Sequence, residues 1–303
     1  MNYSSTSTAM WVLSPPQVWT LLIQRQYEFD ATHCTYNEGP IGTKRLREAM
    51  ASHMNDYFNP FVPVTSEHVT FTAGVTGLNE MIAFNLTDEG EGILLGRPIY
   101  GSFYDDLITK SRYVQSQNPN RISANQSRCQ LVYASFGEID QFGVNAVNKY
   151  EEAILKATRN GVKIRALLLC NPHNPLGKCY TIDALKAYFL LCEKYNIHLI
   201  SDEIYGLSVF EVQGSERTPF TSVLSVDPTG LLRTDQTHVL YGMSKVTSYY
   251  SRLFLPLRGL HWHNIGLWGR WSATRMFDIA EQRDDESNES NWVSMKSSLI
   301  SQY

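Results

Sequence analysis

The sequence predicts an α/β fold built on a mostly parallel sheet with helices on both faces. Three observations predict it. Strand and helix segments alternate from about residue 68 to 245. Several strand segments are continuous apolar runs, such as Ala166-Leu167-Leu168-Leu169-Cys170, the pattern of strands covered on both faces. The residues with chemical potential, Gly74, Tyr100, Asn174, Asp202 and Lys245, all follow such segments, at the carboxyl ends where parallel sheets place their sites.

The elements follow in order. Residues 1–35 have weak periodicity and hold one amphipathic stretch, VWTLLIQRQYEF. Gly39-Pro40-Ile41-Gly42 is a turn signal. TKRLREAMASHMNDYF repeats apolar positions at Leu46, Met50, His53/Met54 and Tyr57, a helical period. HVTFTAG is a short strand ending in glycine, and VTGLNEMIAFNLTDEG a helix with Leu78, Ile82 and Phe84/Asn85 near one face. GILLGRP is a strand and YGSFYDDLITK opens a helix. LVYAS is a strand, and VNAVNKYEEAILKATRNG a helix ended by Gly161. IRALLLCNP is an apolar strand that stops at proline. TIDALKAYFLLCEKYN is a helix with a Thr cap and an acidic residue in its first turn. IHLISDEIY and HVLYGMSK complete the orderly part. From about residue 275 the chain is polar and charged and is expected to be poorly ordered.

Composition removes several classes of function. The 303 residues carry a formal net charge of −4, which supplies no global basic field for nucleic acid. No apolar run reaches the roughly 18 residues of a membrane helix. The first residues lack a basic region followed by a long apolar core. The five cysteines have no CxxC spacing and read as free thiols. A cytoplasmic location is the expectation. His261-Trp262-His263 lacks a third ligand at fitting spacing, so no metal is expected.

Each polar group at a strand end has a plain reading beside a chemical one. CNPHNPLGK holds two Asn-Pro pairs, which make a rigid loop able to present the Asn174 amide; it also reads as a tight strand-to-helix turn. ISDEIY sends Asp202 and Glu203 to opposite sides of a strand. A buried Asp202 needs a cationic or hydrogen-bonding partner, and a protonated heterocyclic nitrogen would serve as well as a salt bridge or a helix cap. Lys245, after Gly242-Met243-Ser244, reads as a solvated strand end or, in an apolar pocket, as a nucleophilic amine. TAGVTG offers backbone N–H groups at Val75 and Thr76 on a helix N-terminus, a generic phosphate seat with no dinucleotide or Walker fingerprint. Tyr100 is a ring for stacking or for the core. Together these groups ask for one ligand with a phosphate, a basic ring nitrogen, a phenolic oxygen and an aldehyde. Pyridoxal 5'-phosphate meets all four requirements.

Over about residues 36–245 the chain resembles the fold-type I pyridoxal-phosphate enzymes of the class I/II aminotransferases, most of all their 1-aminocyclopropane-1-carboxylate synthase-like branch. NPHNPLG matches the NPxNPxG loop, SDEIY the D-E-x-Y strand and GMSK the S-K lysine. The resemblance implies a three-layer αβα large domain. It implies that Lys245 forms the Schiff base and moves the Cα proton, and that Asp202 keeps the pyridine nitrogen protonated. Asn174 and Tyr205 would bond the phenolic oxygen, and Tyr100 would stack on the ring. Val75, Thr76 and Ser244 would hold the phosphate, and Tyr36 would reach the phosphate of a partner subunit in a homodimer. The implied function is transfer of an amino group between an amino acid and a 2-oxo acid. The alternatives are a synthase-type lyase acting on S-adenosylmethionine and a non-catalytic homologue.

The sequence departs from that family after Lys245. Gly242 stands where Ser or Thr is frequent, Val246 replaces an acidic residue, and Leu253 replaces the phosphate-binding Arg, with Arg252 and Arg258 as displaced substitutes. Residues 1–60 are read as an N-terminal arm with part of a small domain, 61–260 as the cofactor-binding large domain, and 261–303 as an atypical tail. The small domain is expected to be incomplete.

Overall fold

The computed structural model describes residues 40–108, 129–210, 217–245 and 265–268, the last stretch by its backbone. Seven strands form one sheet in the order β1-β7-β6-β5-β4-β2-β3. They are β1 (Thr70–Ala73), β2 (Glu91–Arg97), β3 (Cys129–Ser135), β4 (Ile164–Cys170), β5 (His198–Asp202), β6 (Thr237–Gly242) and β7 (Ile265–Trp268). Strands β2 to β6 pair in parallel, and β7 lies antiparallel between β1 and β6.

Four α-helices have both ends among the described residues, α1 (Lys44–Phe58), α2 (Gly74–Leu86), α3 (Val147–Arg159) and α4 (Ile182–Tyr195), and a further helix opens at Phe103. The sheet is buried on both faces because side chains alternate along each strand. Leu94, Leu167, Leu169, Leu199 and Val239 belong to one core with α1, α3 and α4. Ile93, Leu95, Ala166, Leu168, Ile200 and Leu240 belong to a second core with Leu78, Ile82 and Leu86 of α2. This is the three-layer αβα arrangement the sequence predicts. Under α4, Tyr188 meets Tyr150 and Tyr180 edge to face, with centroids 5.3 and 5.6 Å apart. Its buried hydroxyl donates to the Gln141 carbonyl.

Local signals explain the helix ends. Thr181 caps α4, its hydroxyl accepting from the Ala184 amide at 3.2 Å. Thr181→Ala leaves that amide unpaired; a loss of about 1 kcal/mol is expected, which thermal unfolding would show as a Tm lower by about 2–4 °C. Strand β1 passes into α2 with no intervening loop, and Gly74 makes the turn at φ +88°. That left-handed backbone costs glycine little and other residues more.

One reading changes. The sequence placed Leu46 and Tyr57 on the inner face of α1, yet both are exposed, and Arg47, Met50, Ala51, Met54 and Phe58 are buried. The face is rotated because Arg47 is drawn inward by the carbonyls of Gly42 and Ser66, and Phe58 packs edge-on against Tyr241 and Phe220. Strand β7 falls inside 261–303, the stretch read as an atypical tail. Four residues carry too little period to announce a strand; pairing on both sides defines this one. The amphipathic stretch 18–29 and the polar segment after 275 lie outside the described residues.

Candidate active site at the carboxyl edge of the sheet

Strands β5 and β6 end side by side, Asp202 in register with Leu240. Their continuations carry Tyr205 and Lys245. The Lys245 ammonium stands 5.6 Å from the centre of the Tyr205 ring. Lys245 itself is exposed, which departs from the desolvated amine one sequence reading allowed.

Asp202 is 5% exposed. One carboxylate oxygen accepts from the Ile204 amide at 3.1 Å. Burial pushes its carboxyl up to about 7; the Ile204 hydrogen bond opposes this, the charge of Asp106 adds to it, and Lys245 pulls the other way. Glu203 points away, as period 2 requires, into a buried set of donors. It accepts from Ser201 Oγ at 2.9 Å, Ser222 Oγ at 2.6 Å and the Val223 amide at 2.9 Å.

The first turn of α2 faces the same region. Its amides, including those of Val75 and Thr76, lack intrahelical acceptors, as the start of any helix does. Val75 is half-buried and Thr76 exposed. Thr76 Oγ1 lies 3.4 Å from Asp106 Oδ2, and Asn79 Nδ2 donates to the same oxygen at 3.2 Å. Burial holds the Asp106 carboxyl above its ordinary range, against the two side-chain donors. Asp106 thus touches Thr76 directly and acts electrostatically on Asp202. The sequence reading did not single it out, because an acidic pair at a helix opening reads as a favourable helix start.

The loop after β4 carries Asn174, which is half-buried. The peptide bonds before Pro172 and Pro175 are cis. The Asn171 amide donates to the Asp202 carbonyl at 2.8 Å, and the Asn171 side chain holds the Thr221 carbonyl and the Tyr180 amide. His173 is buried, so its ring is held neutral with a pKa near 4; a hydrogen bond to the Pro98 backbone opposes the shift. The His173 ring meets the Gln141 side chain at 2.9 Å. Tyr100 is 41% exposed and meets Phe103 edge-on at 5.5 Å, which leaves it outside the core. Ser244 is half-buried in the turn before Lys245. Tyr36 lies outside the described residues, as does the segment after Lys245 where the family pattern breaks. Among the described residues no group of His, Cys, Asp or Glu is arranged for a metal, and no helix is long and apolar enough to cross a membrane.

Comparison with known proteins matches residues 13–253 to the family described as aminotransferase class I and II. The chain is 33% identical over 218 residues to the probable aminotransferase sirI of Leptosphaeria maculans, covering 71% of this chain and 48% of that one. It is 31% identical to the aminotransferase verI of Clonostachys rogersoniana, covering 75% and 52%. A human protein named probable inactive 1-aminocyclopropane-1-carboxylate synthase-like protein 2 is 34% identical over 67% of this chain and 33% of its own. Among solved structures, an aromatic aminotransferase from Pyrococcus horikoshii OT3 superposes with a TM-score of 0.57 at 21% identity, covering 82% and 54%. The chain spans about half the length of the two fungal aminotransferases it matches.

Proposed function

The chain belongs to the class I and II aminotransferase family, and on that premise we propose that it is a pyridoxal-phosphate-dependent transaminase acting on an amino acid and a 2-oxo acid, with Lys245 as its reactive amine. The observation that carries the reading is the buried Asp202 carboxylate beside the end of the strand that delivers Lys245. The charge of Asp106 acts on the Asp202 carboxylate there, and Lys245 is the cation that opposes it. A protonated ring nitrogen would supply the missing positive charge, so the residues fit the cofactor.

Asp202 would hold that nitrogen protonated. Val75 and Thr76 would bind the phosphate through first-turn amides, with Ser244 as a further donor. Asp106, its carboxyl held toward the neutral form by burial, would repel that anion less than a fully exposed aspartate. Tyr100 presents an exposed ring for stacking, and Asn174 and Tyr205 would bond the phenolic oxygen. When bound, the cofactor supplies the electron sink for bond cleavage at the amino acid Cα. Lys245 Nζ would take the Cα proton and return it. A homodimer completed by Tyr36 of each chain belongs to the same proposal.

The test is an absorbance titration. Adding pyridoxal phosphate to the purified chain should produce a visible band that Lys245→Ala lacks, and amino acids should bleach it. A band identical in both proteins would sink the assignment. The aminotransferase names of the fungal relatives favour amino transfer over elimination; turnover of S-adenosylmethionine without a 2-oxo acid would reverse that preference.

A further inference from the structure

Glu203 lies outside the set of groups that face the cofactor, yet it is 0% exposed and fully engaged. Its carboxylate receives three donors, Ser201 Oγ, Ser222 Oγ and the Val223 amide. Its amide donates to the Leu240 carbonyl of β6 at 2.8 Å, and its carbonyl accepts from the Gly206 amide at 2.8 Å. One residue therefore joins four things: the end of β5, the strand leading to Lys245, the turn that carries Tyr205, and the segment at 222–223. That segment lies next to Thr221, whose carbonyl holds the Asn171 side chain of the Asn174 loop.

Strand β5 ends at Asp202, and the Glu203 amide makes the next backbone bond to β6, at the Leu240 carbonyl. The Glu203 carboxylate adds side-chain anchorage at the point where the paired strand ends. Asp202 is its neighbour, and the Ile204 amide that bonds Asp202 follows directly on. A shift of Glu203 moves both partners of that bond.

We propose that Glu203 is a positioning residue, whose carboxylate, gripped by Ser201, Ser222 and Val223, sets the direction in which Asp202 and Tyr205 leave the sheet. The inference rests on the pyridoxal-phosphate reading for its consequence, since the oriented groups are those proposed to meet the ring. It involves no contact between Glu203 and the cofactor.

Glu203→Gln keeps the shape and removes the ionisable group, so that each of the three donors faces either an amide nitrogen or a neutral carbonyl oxygen. The measurement is amide hydrogen exchange in the cofactor-free chain, with the pH titration of the visible band in the loaded chain as the second arm. The expected result is exchange about 10-fold faster at Ile204, with Leu168 in the sheet centre unchanged. The midpoint of the band should move by about half a pH unit or more. Ser222→Ala removes one of the three donors to Glu203, together with the acceptor of the Leu224 amide, and should give the same pattern at smaller size, which keeps the test usable if Glu203→Gln folds poorly. Equal acceleration at Leu168 and Ile204 in both variants, or no change at Ile204, would overturn the proposal. No visible band in the unaltered chain would reject the cofactor reading instead, and exchange at Ile204 would still decide whether Glu203 orients Asp202.

Discussion

Asp202→Asn is expected to lower the proposed amino transfer by about 10²–10³-fold, the scale of losing a preorganised electrostatic group at a reacting centre, while making the cofactor-free chain more stable at neutral and alkaline pH. The two effects share one cause. Burial pushes the Asp202 carboxyl from its ordinary 3.8 to about 7. The folded chain thus binds that proton more tightly than the unfolded chain does. Below about pH 4 both states are protonated and the group costs nothing. As pH rises toward 7 the unfolded state gains freedom to ionise while the folded state resists, and stability drains away. Above about pH 7 the penalty is constant, at most on the order of 4 kcal/mol for a shift of that size. Asparagine never ionises and escapes the penalty. Denaturant unfolding of both proteins at pH 4.5 and pH 8 would check it: the variant's advantage should appear at pH 8 and shrink toward pH 4.5. An equal difference at both values would mean that Asp202 does not titrate in this window.

Lys245→Ala should have a larger effect on activity and almost none on stability. Lys245 is exposed at the end of its turn, so shortening it removes little packing, and a change within about 0.5 kcal/mol is expected. If Lys245 is the amine and the Cα-proton carrier proposed above, its loss should reduce amino transfer by about 10⁴-fold or more. Following a single half-reaction under excess amino acid isolates this step from product release. A rate within 10-fold of the unaltered chain would remove Lys245 from the chemistry. Asp202→Asn and Lys245→Ala should differ in direction: the first removes the Asp202 titration from the stability profile, while the second takes away the charge that opposes the upward shift of Asp202 and moves that titration further up.

Much of this architecture was legible because burial on both faces writes continuous apolar strands. Ala166 to Cys170 announces β4, and its alternate residues serve the two cores with no exception among the leucines. Helix α4 was legible from Thr181 and Asp183 at its start. The rotation of α1 was not, because an inward arginine held by two backbone carbonyls breaks the rule that charged residues face out. Lys245, Asp202, Asn174 and Tyr205 could be picked out because their spacing resembles a family. Asp106 and Glu203 could not. Each is an acidic residue beside another, and only the fold shows that Asp106 meets Thr76 and Asn79 while Glu203 turns to Ser222 and Val223. Their significance lies in partners 19 to 30 positions distant, beyond any local pattern.

The position of β7 has a consequence for how the protein is made. In the sheet, β1 has β7 as its neighbour, and β7 alone connects it to β6. Strand β1 leads straight into the α2 turn, and β6 leads to the lysine. On the ribosome, β1 and α2 emerge early, yet their sheet partner is synthesised only after Lys245 has passed. Pairing Thr70 with Trp268 closes a very long loop, which is a slow kind of event. The two halves of the proposed centre therefore meet late, when a four-residue strand translated after both of them slides between.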